Sequence, residues 1–153
     1  MTPKSLLRHK RAVSRLDEMV TGTSFHRLLW DDAQLLPNEK IRLVADDSIR
    51  RVVMCSGKVY FDLYEEREKR GIDDIYLLRI EQLYPFPTKA LIAELSRFKQ
   101  AEMVWCQEEP RNMKPRPQNP SSPDNQPIAR MPVMTCAEAS TMPIWNAADA
   151  NSY

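Results

Sequence analysis

The sequence predicts an α/β domain with a mainly parallel sheet, and three observations carry that prediction. Three short apolar runs, Arg51 to Cys55, Ile75 to Arg79 and Met103 to Cys106, have the composition of buried strands. Two stretches of helical periodicity separate them. The resulting order of strand, helix, strand, helix, strand is that of a parallel sheet built with right-handed crossovers. Residues 1–50 are expected to lead into this unit, 51–113 to form it, and 114–153 to stand outside it.

Taken in order, Leu6, Leu7, Val13, Leu16 and Met19 suggest a helical turn and then a short helix, ended by Thr21, Gly22 and Thr23. Phe25 to Trp30 reads as a strand, and Leu35 to Asp47 as a loop around Pro37. After the strand at Arg51, Ser56 and Gly57 make a turn. Val59, Leu63 and Arg67 then share one helical face, with Tyr60 and Tyr64 beside it. Glu65, Glu66, Glu68, Lys69 and Arg70 form the solvated face, and Gly71 is placed to end the helix. Beyond the second strand, Pro85 and Pro87 break the chain. Thr88 is placed to cap a helix whose Leu91, Ile92, Leu95 and Phe98 repeat at helical spacing. Gln107 to Pro110 is the turn that should open a further helix.

The sequence that follows does not carry the pattern of that helix. Seven of the twelve prolines lie between Pro115 and Pro143, and only six charged residues follow Met113. The stretch KPRPQNPSSPDNQPIARMPVM is expected to be disordered or extended, without a helix or a paired strand. Three strands alone make a thin sheet with a long open edge, so the domain is expected to be incomplete.

Composition excludes several functions. The 22 Lys and Arg nearly cancel the 21 Asp and Glu, whereas nucleic-acid or membrane-surface binding usually leaves a basic footprint. No apolar run approaches the ~20 residues that span a bilayer. MTPKSLLRHK lacks the apolar core of a signal peptide. Three scattered cysteines, Cys55, Cys106 and Cys136, do not make a disulfide framework or zinc cluster, so a reducing compartment is expected. Cys55 and Cys106 read as small buried hydrophobes.

The loops at the carboxyl ends of parallel strands are the usual binding positions. Here they are Ser56 to Lys58, Glu81 to Pro87 and Gln107 to Pro110. Ser56, Gly57 and Lys58 open a helix, where free amides favour an anion. A phosphate loop needs a longer glycine-rich run, however, and a tight strand-to-helix turn is the favoured account of the single glycine. Glu108 and Glu109 are adjacent, so they do not converge as an acid–base pair and are explained by a helix start. Arg50, Arg51, Arg79 and Lys58 are candidates to gather at one rim of the sheet and meet an anion, or else to pair with nearby acids. His9, in a basic run, and His26 lack neighbours at ligand or triad spacing.

MTPKSLLRHKRAVS, RVVMCSGKVYFDL, RIEQLYPFP and VWCQEEPRNM, in this order, resemble the C-terminal portion of the E1 component of 2-oxoglutarate dehydrogenase. The likeness covers about Met1 to Met113. Pyruvate dehydrogenase E1 and transketolase share the domain type but not this wording. The resemblance implies a Rossmann-like domain of the transketolase C-terminal type, here truncated. It implies descent from an enzyme that uses thiamine diphosphate and magnesium, decarboxylates 2-oxoglutarate and passes the succinyl group to lipoyl-E2 in the citric acid cycle. Partners in that setting are a second E1, the E2 succinyltransferase and E3. The cofactor motif, the activating glutamate and the active-site histidines of the family fall outside the matched stretch. The expectation is therefore an inactive fragment that binds no cofactor alone and contributes dimer and assembly contacts. The alternative is a non-catalytic binding module for an allosteric nucleotide or acyl-CoA, using Ser56, Gly57, Lys58, Arg79, Glu108 and Glu109. The compartment implied is the cytoplasm in a bacterium, or the mitochondrial matrix in a eukaryote. The likeness stops abruptly at Met113, which suggests a shifted reading frame or an altered gene end; translating the other two frames past codon 113 tests this.

Overall fold

The computed structural model describes residues 4–14, 16–35, 40–108 and 133–135. Its elements are β1 (Leu28–Leu29), α1 (Asp32–Leu35), β2 (Arg51–Cys55), α2 (Val59–Arg70), β3 (Ile75–Ile80), α3 (Thr88–Leu95), β4 (Glu102–Gln107) and β5 (Val133–Thr135), with 3-10 turns at Leu6–Arg8, Leu16–Met19 and Asp46–Ser48. One sheet in the order β1-β3-β2-β4-β5 holds all five strands. β2 lies parallel between β3 and β4, β5 is parallel to β4, and β1 is antiparallel to β3.

Each central strand sends alternate side chains to opposite faces, as the pleat requires. Val53, Cys55, Ile75, Leu77, Val104 and Cys106 meet Val59, Tyr60, Phe61, Leu63 and Tyr64 of α2. Val52, Met54, Tyr76, Leu78, Ile80 and Trp105 face the other way, onto Leu91 of α3 and Phe98. Two-sided burial explains why these strands read as continuous apolar runs. It also fits β2–α2–β3 and β3–α3–β4 crossing over opposite faces, which right-handed connections to strands on either side of β2 demand.

α2 ends where expected. Gly71 sits at φ +66°, a conformation costly for residues with a Cβ, and its amide bonds back to the Arg67 and Glu68 carbonyls. The other ends differ from expectation. Pro87, not Thr88, occupies the position before α3; Thr88 is already the first helical residue and makes no cap bond. α3 is also shorter than the apolar spacing suggested. Ile92 is 51% exposed, and Phe98 reaches the core from beyond the helix.

The N-terminal segment departs furthest. Leu7, Val13, Leu16 and Met19 are exposed, Leu16 by 85%, and only two 3-10 turns form. Helical spacing there does not mark a core face. The expected strand from Phe25 to Trp30 shrinks to two residues. The region docks instead through Leu6 and Ala12 against the α2 side of the core, through His9 on Phe61 and Arg11 on Glu68, and through Asp31, fully buried and bonded to Arg67 of α2.

At the far edge, Val133 to Thr135 pair with Trp105 to Gln107, although the proline-rich composition predicted no paired strand there. A strand of three residues needs so little sequence that composition over the whole stretch hides it. The rest of the expected disordered tail lies outside the described residues, as do Glu109, Pro110, Cys136 and any helix after Glu108.

Candidate functional site at the carboxyl rim of the sheet

β2 and β4 are neighbours whose chain connections run in opposite directions, so their carboxyl ends flank the topological switch point, where open α/β sheets take ligands. The turn after β2 is tight. Gly57 adopts φ +68°, and the Tyr60 and Phe61 amides donate to the Gly57 and Lys58 carbonyls at 3.4 and 3.0 Å. Nothing lies within 4 Å of where a Gly57 Cβ would stand, so the glycine serves the backbone angle and not a close approach.

Lys58 reaches across the switch point. Its Nζ lies 2.7 Å from Asp62 Oδ2, one turn along α2, and 3.7 Å from Glu108 Oε1 at the end of β4. Its charge is thus met by carboxylates. Arg79, paired in register with Cys55, stacks its guanidinium 4.1 Å from the Tyr60 ring centroid and 5.4 Å from that of Phe61. Among the described residues it meets no carboxylate, and its Nε is buried without a hydrogen-bond partner. Cation–π stacking holds the head without a carboxylate among the described residues.

Beneath this rim, burial pushes the Cys55 thiol well above its usual range. Cys106 adds to the rise, and Arg79 opposes it. Burial likewise raises the Tyr60 hydroxyl, helped by the charges of Asp31 and Asp32. Tyr60 Oη accepts the Asp32 amide at 3.0 Å, a bond that ties α2 to the start of α1.

Ser56, Gly57, Lys58, Arg79 and Glu108 therefore all lie at the carboxyl end of the sheet. Arg50 and Arg51 do not join them, since Arg50 precedes β2 and Arg51 opens it, at the amino end of the strand. Arg50 pairs with Asp74 at 2.8 Å and Arg51 with Glu102 at 2.6 Å, acids that precede or open the neighbouring strands. His9 is not a freely solvated side chain, because its ring packs 4.7 Å from Phe61 and its Nε2 lies 3.3 Å from Glu65. His26 is exposed. Among the described residues no three His, Cys, Asp or Glu converge to hold a metal ion. Thiamine diphosphate with magnesium needs oxygen ligands around the metal, and the separate carboxylates Asp62 and Glu108, both facing Lys58, do not fit that group.

Sequence reading overlooked the buried centre. Arg67 Nη1 and Nη2 donate to Asp31 Oδ2 and Oδ1 at 2.5 and 2.7 Å, and Nη1 also to the Ile75 carbonyl at 2.8 Å. Asp31 further accepts the Leu77 amide at 2.7 Å and the Ala33 amide at 3.0 Å. A charged residue on the apolar stripe of α2 was the available signal for Arg67; nothing local marked Asp31.

Fold and rim together define an α/β domain of mainly parallel sheet that carries Lys58 and Arg79 at its carboxyl end. Residues 13–115 match the 2-oxoglutarate dehydrogenase C-terminal family, and the chain belongs to it. It is 77% identical over 113 residues to the 2-oxoglutarate dehydrogenase E1 component of Brucella anthropi, which covers 74% of this chain and 11% of that protein. The E1 components of Brucella ovis and Brucella abortus are 76% and 74% identical over the same length and shares. The chain thus spans about a tenth of the length of the curated relatives it matches.

Proposed function

We propose that this chain is a C-terminal segment of the E1 component of a 2-oxoglutarate dehydrogenase complex, inactive by itself and supplying assembly contacts. The carrying observation is the 77% identity over 113 residues, which amount to only 11% of the relative. In the parent enzyme the reaction is oxidative decarboxylation of 2-oxoglutarate with succinyl transfer to lipoyl-E2, and thiamine diphosphate supplies the carbanion stabilisation. The residues described contribute buried scaffold, not a proton or a nucleophile. Partners on this reading are the remainder of E1, a second E1, and E2 with E3. The relatives are bacterial, which favours the cytoplasm, and no helix among the described residues is long and apolar enough to cross a membrane.

The purified chain, given 2-oxoglutarate, thiamine diphosphate and magnesium, should show no decarboxylation. Co-expressed with the upstream part of a Brucella E1, it should co-elute with that part. Turnover by the chain alone would overturn the first half of the proposal, and failure to co-elute the second.

A second reading rests on Arg79. A guanidinium stacked on Tyr60 and Phe61 without a carboxylate among the described residues, at the rim shared with Ser56, Gly57 and Lys58, is a contact suited to a nucleotide or acyl-CoA phosphate. ATP and coenzyme A at millimolar concentration should then raise the thermal midpoint of the chain but not of Arg79→Gln. Equal shifts in both proteins, or none in either, remove the reading.

A further inference from the structure

The β1 edge of the sheet is anchored on its inner side and apolar on its outer one. β1 is the outermost strand there and only two residues long. The loop after β3 folds back onto it, since the Glu81 and Gln82 amides both donate to the Arg27 carbonyl, at 3.0 and 3.3 Å. Gln82 Nε2 donates to the Pro85 carbonyl at 2.7 Å, which closes the loop into a turn. Leu28 and Phe86, on either side of this junction, pack against the α3 side of the core. Their neighbours stay outside. Phe25 is 71% exposed and Tyr84 92%, and Trp30 and Leu83 are exposed as well.

Single exposed apolar residues are ordinary, whereas a group of large ones marks a contact surface. Here two come from the N-terminal segment and two from the loop that bonds to it, and three of them are aromatic, the type that protein interfaces favour. The hydrogen bonds at Arg27 and Pro85 hold the two segments in place, so a partner would meet a preformed face.

The comparisons say what partner is at hand. The family matched is a C-terminal one, and the match is 11% of the Brucella anthropi protein, so the bulk of the parent chain precedes this stretch. Phe25 and Trp30 lie on the segment nearest that bulk in sequence, where Leu16 and Met19 are exposed too. A tether holds its neighbour at an effective concentration on the order of millimolar. We infer that Phe25, Trp30, Leu83 and Tyr84 form the face on which the preceding part of the E1 chain docks. This rests on the reading of the chain as an E1 segment and adds where the contact is made.

The test co-expresses the full chain with the upstream part of the Brucella anthropi E1 and compares it with Leu83→Asp/Tyr84→Asp. Both residues are exposed in the chain alone, so the double variant should keep the wild-type unfolding midpoint. Its co-elution should nevertheless fall roughly tenfold or more, as when central contact residues are lost. Ile92→Asp, which puts the same charge on the exposed side of α3, should co-elute like wild type. Hydroxyl-radical footprinting should oxidise Phe25, Trp30 and Tyr84 in the free chain and spare them in the complex. If wild type and the double variant co-elute equally, the docking face is elsewhere, and this inference falls while the role in E1 stands. Failure of wild type to co-elute removes both. An equal loss from Ile92→Asp would overturn the inference too, as would protection of Tyr84 in the chain alone at rising concentration, where a second copy is the occupant. Were the double variant to unfold, the wild-type footprint decides: equal oxidation of the three aromatic residues, free and bound, overturns the inference.

Discussion

Replacing Asp31 by alanine should be among the most damaging single changes available in this chain. Both side chains of the Asp31–Arg67 pair are 0% exposed, so neither charge is solvated when the other is removed. In Asp31→Ala the guanidinium keeps the Ile75 carbonyl at 2.8 Å and the Tyr64 ring at 4.9 Å but loses both carboxylate bonds. Breaking one side of a buried pair costs about 3–5 kcal/mol. The Leu77 amide also loses its acceptor, and a buried unsatisfied donor costs about 1–3 kcal/mol. These losses overlap, and about 4–6 kcal/mol is the expected total. Domains of this size have roughly 5–15 kcal/mol in all, so most of the stability would go. Urea unfolding followed by tryptophan fluorescence measures it. The companion Asp31→Leu/Arg67→Met should recover at least half of the loss, because an apolar pair leaves no buried charge, although the Leu77 amide stays orphaned. A loss below about 1 kcal/mol in Asp31→Ala, or a double variant no better than the single, would refute the reasoning.

Three other outcomes are expected. Gly71→Ala should lower stability by about 1–2 kcal/mol through the left-handed backbone alone, since an added Cβ meets nothing within 4 Å; the urea midpoint reads this, and Gly71→Asn should cost less. Burial pushes the Glu68 carboxyl up, but the Arg11 hydrogen bond and the charges of Arg11 and Lys40 outweigh it, so its pKa lies below the ordinary value. A depressed folded-state pKa stabilises above the unfolded value and loses that contribution as pH falls through the folded one. The stability gap between wild type and Glu68→Gln should accordingly be full at pH 7 and close on acidification below about pH 4; a gap constant from pH 7 to 3 would contradict the pairing. Finally, Cys55 and Cys106 are buried and the Cys55 thiol is raised, so native-state iodoacetamide at pH 8 should leave both unmodified by peptide mass spectrometry, with full labelling in denaturant. Native labelling at the rate of a free thiol would show that the strands open.

How much was legible in advance depended on whether the signal was local. Arg51 to Cys55 announced β2 because a strand covered on both faces must be apolar throughout, and that requirement is written residue by residue. The same holds for β3 and β4, and for α2 with its glycine end, where a backbone angle selects the residue type. The motifs around CSGK, RIEQLYPFP and VWCQEEP likewise carried the family, and the 113-residue likeness to E1 components agrees with them. Of the candidate rim, Ser56, Gly57, Lys58, Arg79 and Glu108 could be placed together because the ends of parallel strands share one side of a sheet. Arg50 and Arg51 sit next to the same strand in sequence, yet only direction along β2 separates them from that rim.

What the tertiary structure alone decided involves pairing across distance. Asp31 and Arg67 are 36 positions apart, and Asp31 and the Leu77 amide 46. No periodicity relates them, because their meeting is set by where α2 lies on the sheet. The same reason misplaced the N-terminal segment. Leu7, Val13, Leu16 and Met19 have helical spacing but find no surface to cover among the described residues, and spacing states which residues would share a face without supplying a partner for it. β5 is the converse case, three residues paired to β4 within a stretch whose composition predicted no strand. Sequence thus determined the central elements β2, α2, β3 and β4 and the lineage of this chain, since both are written locally. Which charges are buried, which apolar residues stay outside and what closes the sheet were decided only when the elements met.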